Sequence, residues 1–186
     1  MTDTDALGTA ISRSRLILSL LGPSSTTFRI ESPTQFADHF RTAVFPLMRA
    51  HGVRRIFLMG TISIARPDDG FSLLRLLVVW FVRLVVPKAY RNVLAVESLC
   101  ERDAEATRDV DWTVYRIAGI PGDCTEEAWR RDRGDGDAYV GPVGGKGWGS
   151  SQRRGALARW LVDAAEDGKA ELVGAFPAVS RLAGAR

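Results

Sequence analysis

Two hydroxyls one residue apart, Thr61 and Ser63 in "RRIFLMGTIS", close an apolar run that starts at Arg55. Hydroxyls there can hydrogen-bond a ribose, a phosphate or a substrate carbonyl, and the glycine before them lets a ligand approach the backbone. Two other runs end in the same manner, Leu21-Gly22-Pro23-Ser24-Ser25 and Ile117-Ala118-Gly119-Ile120-Pro121. Each residue alone is an ordinary turn former; their recurrence at three run ends points to a site. Tyr90, in "KAYRNVLAV", and Ser63 are the candidates for catalysis. Tyr90 is either a substrate-pocket residue or an interfacial tyrosine capping an apolar helix. Arg116 lies inside the half-buried stretch "DWTVYRIAG". No Ser-His-Asp constellation or acid pair stands out. Cys100 and Cys124 form no CxxC, and His39 and His51 have no Cys or acidic partners nearby, so neither a disulfide framework nor a metal site is expected.

The elements that must position these groups alternate regularly. "RLILSLLG", Arg15 to Gly22, is a continuous apolar run between basic residues and Gly-Pro, the pattern of a strand buried on both faces. "SPTQFADHFRTAVFPLMRAHGV" predicts a helix with Ser32 as N-cap, Pro33 first, Gln35 completing a capping box, a kink at Pro46 and a stop at Gly52. "RRIFLMGT" is the next strand, followed by two helices, the strand "DWTVYRIAG", the helix "RGALARWLVDAAEDG" and the strand "AELVGAFP". Strands separated by helices in this order mean an α/β domain with a parallel, doubly wound sheet of about four strands. The chain, residues 1–186, reads as a single domain, with residues 122–152 as a glycine-rich loop or insertion. Within that loop "GPVGGKGWG" matches neither phosphate-loop spacing and follows no strand.

The 186 residues are 46% hydrophobic and 25% charged, enough apolar material for one core. A net charge of +3 from scattered arginines gives no nucleic-acid footprint. The acidic start lacks the apolar region of a signal peptide, so a cytoplasmic protein is expected. "FSLLRLLVVWFVRLVVP", Phe71 to Pro87, falls short of the about 20 residues a bilayer needs and carries Arg75 and Arg83, so no membrane span is expected. Those arginines are eight apart and share a face, leaving Leu74, Leu77, Val78, Phe81, Leu84 and Val85 on a broad apolar side. That side is expected to cover a sheet or lid an apolar pocket, in preference to lying on a membrane surface.

Four stretches, "LILSLLGPSS", "MRAHGVRRIFLMGTIS", "DVDWTVYRIAGIPGD" and "SSQRRGALARWLVDAAE", together resemble the atypical short-chain dehydrogenases, the NmrA-like and flavin-reductase-like NAD(P)H-binding proteins. The resemblance covers nearly the whole chain and implies a Rossmann-like sheet. It implies cofactor contacts at Leu21, Gly22, Pro23, Thr61, Ser63, Arg116 and Ile120. Arg116 matches the arginine of the family's D-W-T-x-x-R segment, which would anchor the loop after the strand beside the cofactor and substrate cleft. The alternative is an arginine on the exposed face paired with Asp111 or Asp123. The family's glycine loop after its first strand, which holds the pyrophosphate at a helix N-terminus, has no counterpart here. Classical short-chain dehydrogenases also pair a tyrosine with a lysine four residues on, which lowers the tyrosine pKa so that it can act as an acid; Tyr90 is the corresponding tyrosine, but Leu94 stands where the lysine would be. "MTDTDALGTAI" instead looks like the segment after the family's third strand, so the sheet is expected to be incomplete at its N-terminal side by about 60 residues. The strand Leu16 to Leu21 would then present an open edge, a route to self-association.

The function these readings imply is NAD(P)-dependent oxidation or reduction of a small apolar or aromatic substrate, with NAD(P)H binding expected to be weak or lost if Met1 is the true start. The alternative is a non-catalytic, dinucleotide-sensing or protein-interaction module on the same scaffold.

Overall fold

A computed structural model describes residues 3–22 and 30–184. The segment begins with helix α1 (Thr4–Ser12), capped by the Asp3 carboxylate, which accepts from the Ala6 N–H at 2.9 Å. Strand β1 (Leu16–Ser19) follows, then α2 (Gln35–His39), a π-helical turn over Phe40–Val44 and α3 (Phe45–Ala50). Next come β2 (Arg55–Thr61), α4 (Leu73–Val85), α5 (Pro87–Arg102) and β3 (Asp111–Ile117). The last part holds α6 (Glu126–Asp132), β4 (Ala138–Gly141), α7 (Arg154–Glu166), a 3-10 turn at Ala170–Leu172 and β5 (Ala178–Arg181).

The five strands described form one sheet in the order β1-β2-β3-β5-β4. The β1–β2, β2–β3 and β3–β5 pairs are parallel and β4–β5 is antiparallel. Alternation along the central strands divides their side chains between two layers. On one face Ile56, Leu58 and Val114 pack against Phe40, Phe45 and Met48 of the α2–α3 region and Val96 and Leu99 of α5. On the other, Phe57, Tyr115 and Ile117 meet Leu157, Trp160 and Leu161 of α7. Helices therefore cover both faces, as the alternation of elements in the sequence requires.

Several expected boundaries move, each for a local reason. The helix expected from Ser32 begins at Gln35, because buried Asn92 of α5 does the capping: its Oδ1 accepts from the Phe36 N–H at 3.1 Å and its Nδ2 donates to the Ser32 carbonyl at 2.7 Å. Gln35 reaches back to the Glu31 N–H instead of completing a box at Ser32. The break expected at Pro46 is taken up by the wider turn at Phe40–Val44, which accommodates a residue with no N–H to donate. "AELVGAFP" is not the last strand. Gly174 at φ 70° and Pro177 interrupt it, and β5 forms just beyond. Residues 122–152, expected as loop, contain α6, started by the Thr125 hydroxyl accepting from the Ala128 N–H, and β4, which adds the antiparallel strand.

Strand β1 is not buried on both faces. It lies at the sheet edge, with Leu18 37% and Leu20 63% exposed. The apolar segment also turns opposite to expectation: Arg75 of α4 faces the protein, and most of the apolar side chains face out.

Candidate functional site

The carboxyl ends of β2 and β3 lie side by side, Thr61 in register with Ile117. Beyond them a pocket of about 120 Å³ is lined by Thr61, Ile62, Ser63, Ala118, Tyr90 and Val93 of α5, and Val78 and Val82 of α4. The Ser63 N–H donates to the Thr61 hydroxyl at 3.2 Å, a side-chain turn that fixes the Thr61 hydroxyl and the Ser63 backbone at the strand end. Of the apolar side of α4 expected to cover a sheet or lid a pocket, only Val78 lines this one, beside Val82 from the inward side of the helix.

The carbonyls on either side of Ser63 are held by two arginines, Arg116 buried and Arg75 partly buried. The Arg75 guanidinium donates from Nε to the Ile62 carbonyl at 2.9 Å and from one terminal nitrogen to the Ile64 carbonyl at 3.3 Å. Arg116 donates to the same Ile64 carbonyl at 3.0 Å and, through Nε, to the Phe176 carbonyl at 2.6 Å. Both arginines converge on Asp69, whose Oδ2 lies 2.7 Å from Arg116 and 3.2 Å from Arg75. Asp69 also accepts from the Arg66 and Val143 backbone N–H groups, each at 2.9 Å. Burial pushes the Asp69 pKa up, but the hydrogen bond from Arg116, the two backbone N–H bonds and the Arg116 charge outweigh it and hold the carboxyl below its usual range. Arg66 ties the same loop to α5, 2.8 Å from Glu101, and lies over the Phe176 ring.

Through Asp69 the glycine-rich segment enters the assembly. The Gly70 N–H donates to the Val143 carbonyl at 2.8 Å, and Gly70 and Gly144 come so close that a Cβ on Gly70 would sit 2.8 Å from the Gly144 carbonyl oxygen. Gly144 is moreover at φ 74°. The glycines of this segment serve a backbone-to-backbone contact at these two positions.

The candidates named from sequence separate into groups. Thr61, Ser63 and Tyr90 share the pocket. Arg116 is 1% exposed and bonded to Asp69, so the exposed pairing with Asp111 or Asp123 does not form; Asp111 lies beside Arg54 instead. The loop it secures most closely is the one after β2, at Ile64 and Asp69. Leu21 and Gly22 lie past the end of β1, where Leu21 packs on the layer facing α5 and a Cβ on Gly22 would strike Met59. Ile120 packs on the opposite layer, against the α7 side. Pro23 lies outside the described residues. Asp69 and Arg75 were missed; the signal was an acid in "RPDDG" directly after the strand-end hydroxyls, followed by an arginine inside an apolar helix.

The architecture is that of a Rossmann-like sheet, and solved structures share it. A short-chain dehydrogenase/reductase from Veillonella parvula in complex with NADP superposes with a TM-score of 0.62 at 11% identity, over 99% of this chain and 70% of that one. The oxidoreductase YlbE from Lactococcus lactis gives 0.60 at 10% identity, over 96% and 67%. ChuY, an anaerobillin reductase from Escherichia coli, gives 0.58 at 14% identity, over 96% and 71%. No family model and no curated protein matches the sequence.

Proposed function

We propose that the protein is an NAD(P)-dependent oxidoreductase of the short-chain dehydrogenase type that acts on a small apolar or aromatic carbonyl compound or the corresponding alcohol. The observation that carries this reading is the convergence of Ser63, from the end of β2, and Tyr90, from α5, on one pocket walled by Val78, Val82 and Val93. Ser63 and the Tyr90 phenol would donate hydrogen bonds to a carbonyl oxygen and orient it, while the valines admit an apolar substituent and exclude water. The Rossmann-like fold, shared with a structure in complex with NADP, supports the cofactor class.

The fit to such a cofactor is partial. Thr61 and Ser63 would meet its nicotinamide and ribose side, and Leu21 and Gly22 offer a second strand end. Among the described residues no glycine loop opens a helix after a strand to hold the pyrophosphate, which predicts weak binding by this chain alone. When bound, the cofactor would supply or accept the hydride. The chain's own contribution is to hold the substrate oxygen at Ser63 and Tyr90 and to fix the Ser63 backbone through Arg75 and Arg116.

Leu94, one turn after Tyr90, favours a second reading: a binding module of the NmrA-like type that senses the dinucleotide or a protein without turnover. Fluorescence titration with NADPH, with and without a small aromatic ketone, tests the binding step common to both. Binding of the ketone lost in Ser63→Ala and Tyr90→Phe supports the pocket; ketone binding unchanged in both variants excludes it.

A further inference from the structure

Among the described residues, more than half of the exposed large apolar side chains lie on α4. Ser72, Arg75, Val79 and Val82 turn toward the protein, and Leu73, Leu77, Trp80 and Leu84, spaced by four, three and four residues, point away from it, each 58% to 64% exposed. Leu76 and Phe81 widen that stripe, and Phe71, just before the helix, is 84% exposed. Among the described residues nothing packs on this side. Soluble proteins seldom leave so continuous an apolar stripe free, so it has a partner.

The charges around it identify the partner. From Gly70 to Val96 there is no acidic residue, while Arg75, Arg83, Lys88 and Arg91 are all basic. Arg75 is paired inside with Asp69, which it shares with Arg116; Arg83, Lys88 and Arg91 are exposed at the end of α4 and the start of α5. A second copy is a poor occupant. A two-fold interface would bring the same patch from both chains together, setting these cations against one another with no acid to answer them. A surface that is apolar within and anionic above matches both features, and that is a bilayer containing acidic phospholipids. We infer that α4 lies flat in such a surface, with Leu77, Trp80 and Leu84 among the acyl chains and Arg83 and Lys88 at the headgroups. Crossing is excluded for α4: its thirteen residues reach about 20 Å, against about 30 Å of hydrocarbon, and no helix described is long and apolar enough to span. The pocket beneath Val78 and Val82 would then sit next to the membrane, a position suited to apolar compounds dissolved in it.

Flotation of the full chain with vesicles tests this. Vesicles of phosphatidylcholine with phosphatidylglycerol should carry the protein, and vesicles of phosphatidylcholine alone should carry much less. Leu77→Glu and Trp80→Glu should each reduce partitioning by about tenfold or more, because a carboxylate enters the apolar layer. Arg83→Ala and Lys88→Ala should each reduce it about fivefold on anionic vesicles, and salt should weaken the parent's binding. Should the glutamate variants fail to fold, the two alanine variants, both at exposed positions, still give the answer. The proposal is overturned if the parent stays with the unbound fraction on anionic vesicles, or if binding is equal in all variants. It is overturned too if light scattering shows a dimer that Trp80→Glu dissolves while vesicles retain nothing, since a second copy would then cover the helix.

Discussion

Arg116 and Asp69, 47 residues apart in the chain, meet at 2.7 Å with 1% and 3% of their side chains exposed. The pair joins β3 to the loop that carries Ser63, and through Val143 it reaches the glycine-rich segment as well. An arginine in a strand that reads as half-buried is thus a buried clamp. Its guanidinium has carbonyl and carboxylate partners, which offset the cost of removing it from water.

Removal of Arg116 leaves the buried Asp69 carboxylate with only Arg75 as a side-chain partner, at 3.2 Å, and the Ile64 and Phe176 carbonyls without the guanidinium. Arg116→Ala is expected to lower the unfolding free energy by about 3–5 kcal/mol, a large part of a domain's stability, measured by urea denaturation. Arg116→Lys should recover only part of it, because an ammonium cannot reproduce the forked contacts to Phe176, Ile64 and Asp69. A change under about 1 kcal/mol in Arg116→Ala would show that the clamp does not hold the fold.

The same pair sets an acid limit. The pKa of Asp69 is lower in the folded protein than in the unfolded chain, so its contribution to stability is complete above the ordinary carboxylate range. That contribution is lost as pH falls below this range and through the folded-state value. Urea midpoints measured from neutral to acid pH should fall with acidification in the parent, and the slope should be shallower in Asp69→Asn, which starts from a lower midpoint. Equal slopes would assign the acid sensitivity to other carboxylates.

The layers were legible because they depend on periodicity alone. The alternation of Ile56, Phe57 and Leu58, and the apolar side of "RGALARWLVDAAE", each suffice to place strand and helix. Thr61 and Ser63 were legible as candidates because parallel sheets offer their strand ends to ligands, whereas Tyr90, on α5, was reached only through the resemblance, and no local pattern placed it beside them. The partner of Arg116 was not, since no local pattern links residues 69 and 116. Strand β4 was hidden too: "AYVG" is four residues between glycine-rich stretches, and only pairing with β5 makes it a strand. The orientation of α4 runs opposite to its amphipathic pattern because Asp69, outside the helix and its pattern, gives Arg75 a partner on the inner side.

At the contact of the two loops, Gly70→Ala and Gly144→Ala should destabilise by about 1–3 kcal/mol, the first by collision with the Gly144 carbonyl and the second also by strain at φ 74°. Limited proteolysis should then cut within residues 141–149 faster than in the parent. Unaltered cleavage would mean that the loops are held together by Asp69 alone.

The edge of β1 makes a separate prediction. Leu18 and Leu20 are exposed beside an apolar groove of about 560 Å³ lined by Leu7, Ile11, Ile17, Leu21, Phe40 and Val44. Pairing through this edge would produce dimers or larger species, and Leu18→Lys should shift them to monomer, since a charge on an edge strand opposes strand addition. Size-exclusion chromatography with light scattering reads the outcome; a parent that stays monomeric at every concentration would remove the edge as an association site.

The central claim is that Ser63 and Tyr90 form a reducing or oxidising site, and label transfer tests it most directly. The protein is incubated with NADPH deuterated at the transferring position and a panel of small aromatic aldehydes and ketones, and the alcohol products are examined by mass spectrometry. The account predicts deuterium in the product alcohol with the parent, and a loss of about a hundredfold or more in rate with Tyr90→Phe and with Ser63→Ala, each still folded by circular dichroism. No labelled product from the parent, at NADPH concentrations shown by titration to occupy it, would contradict an oxidoreductase and leave the binding module.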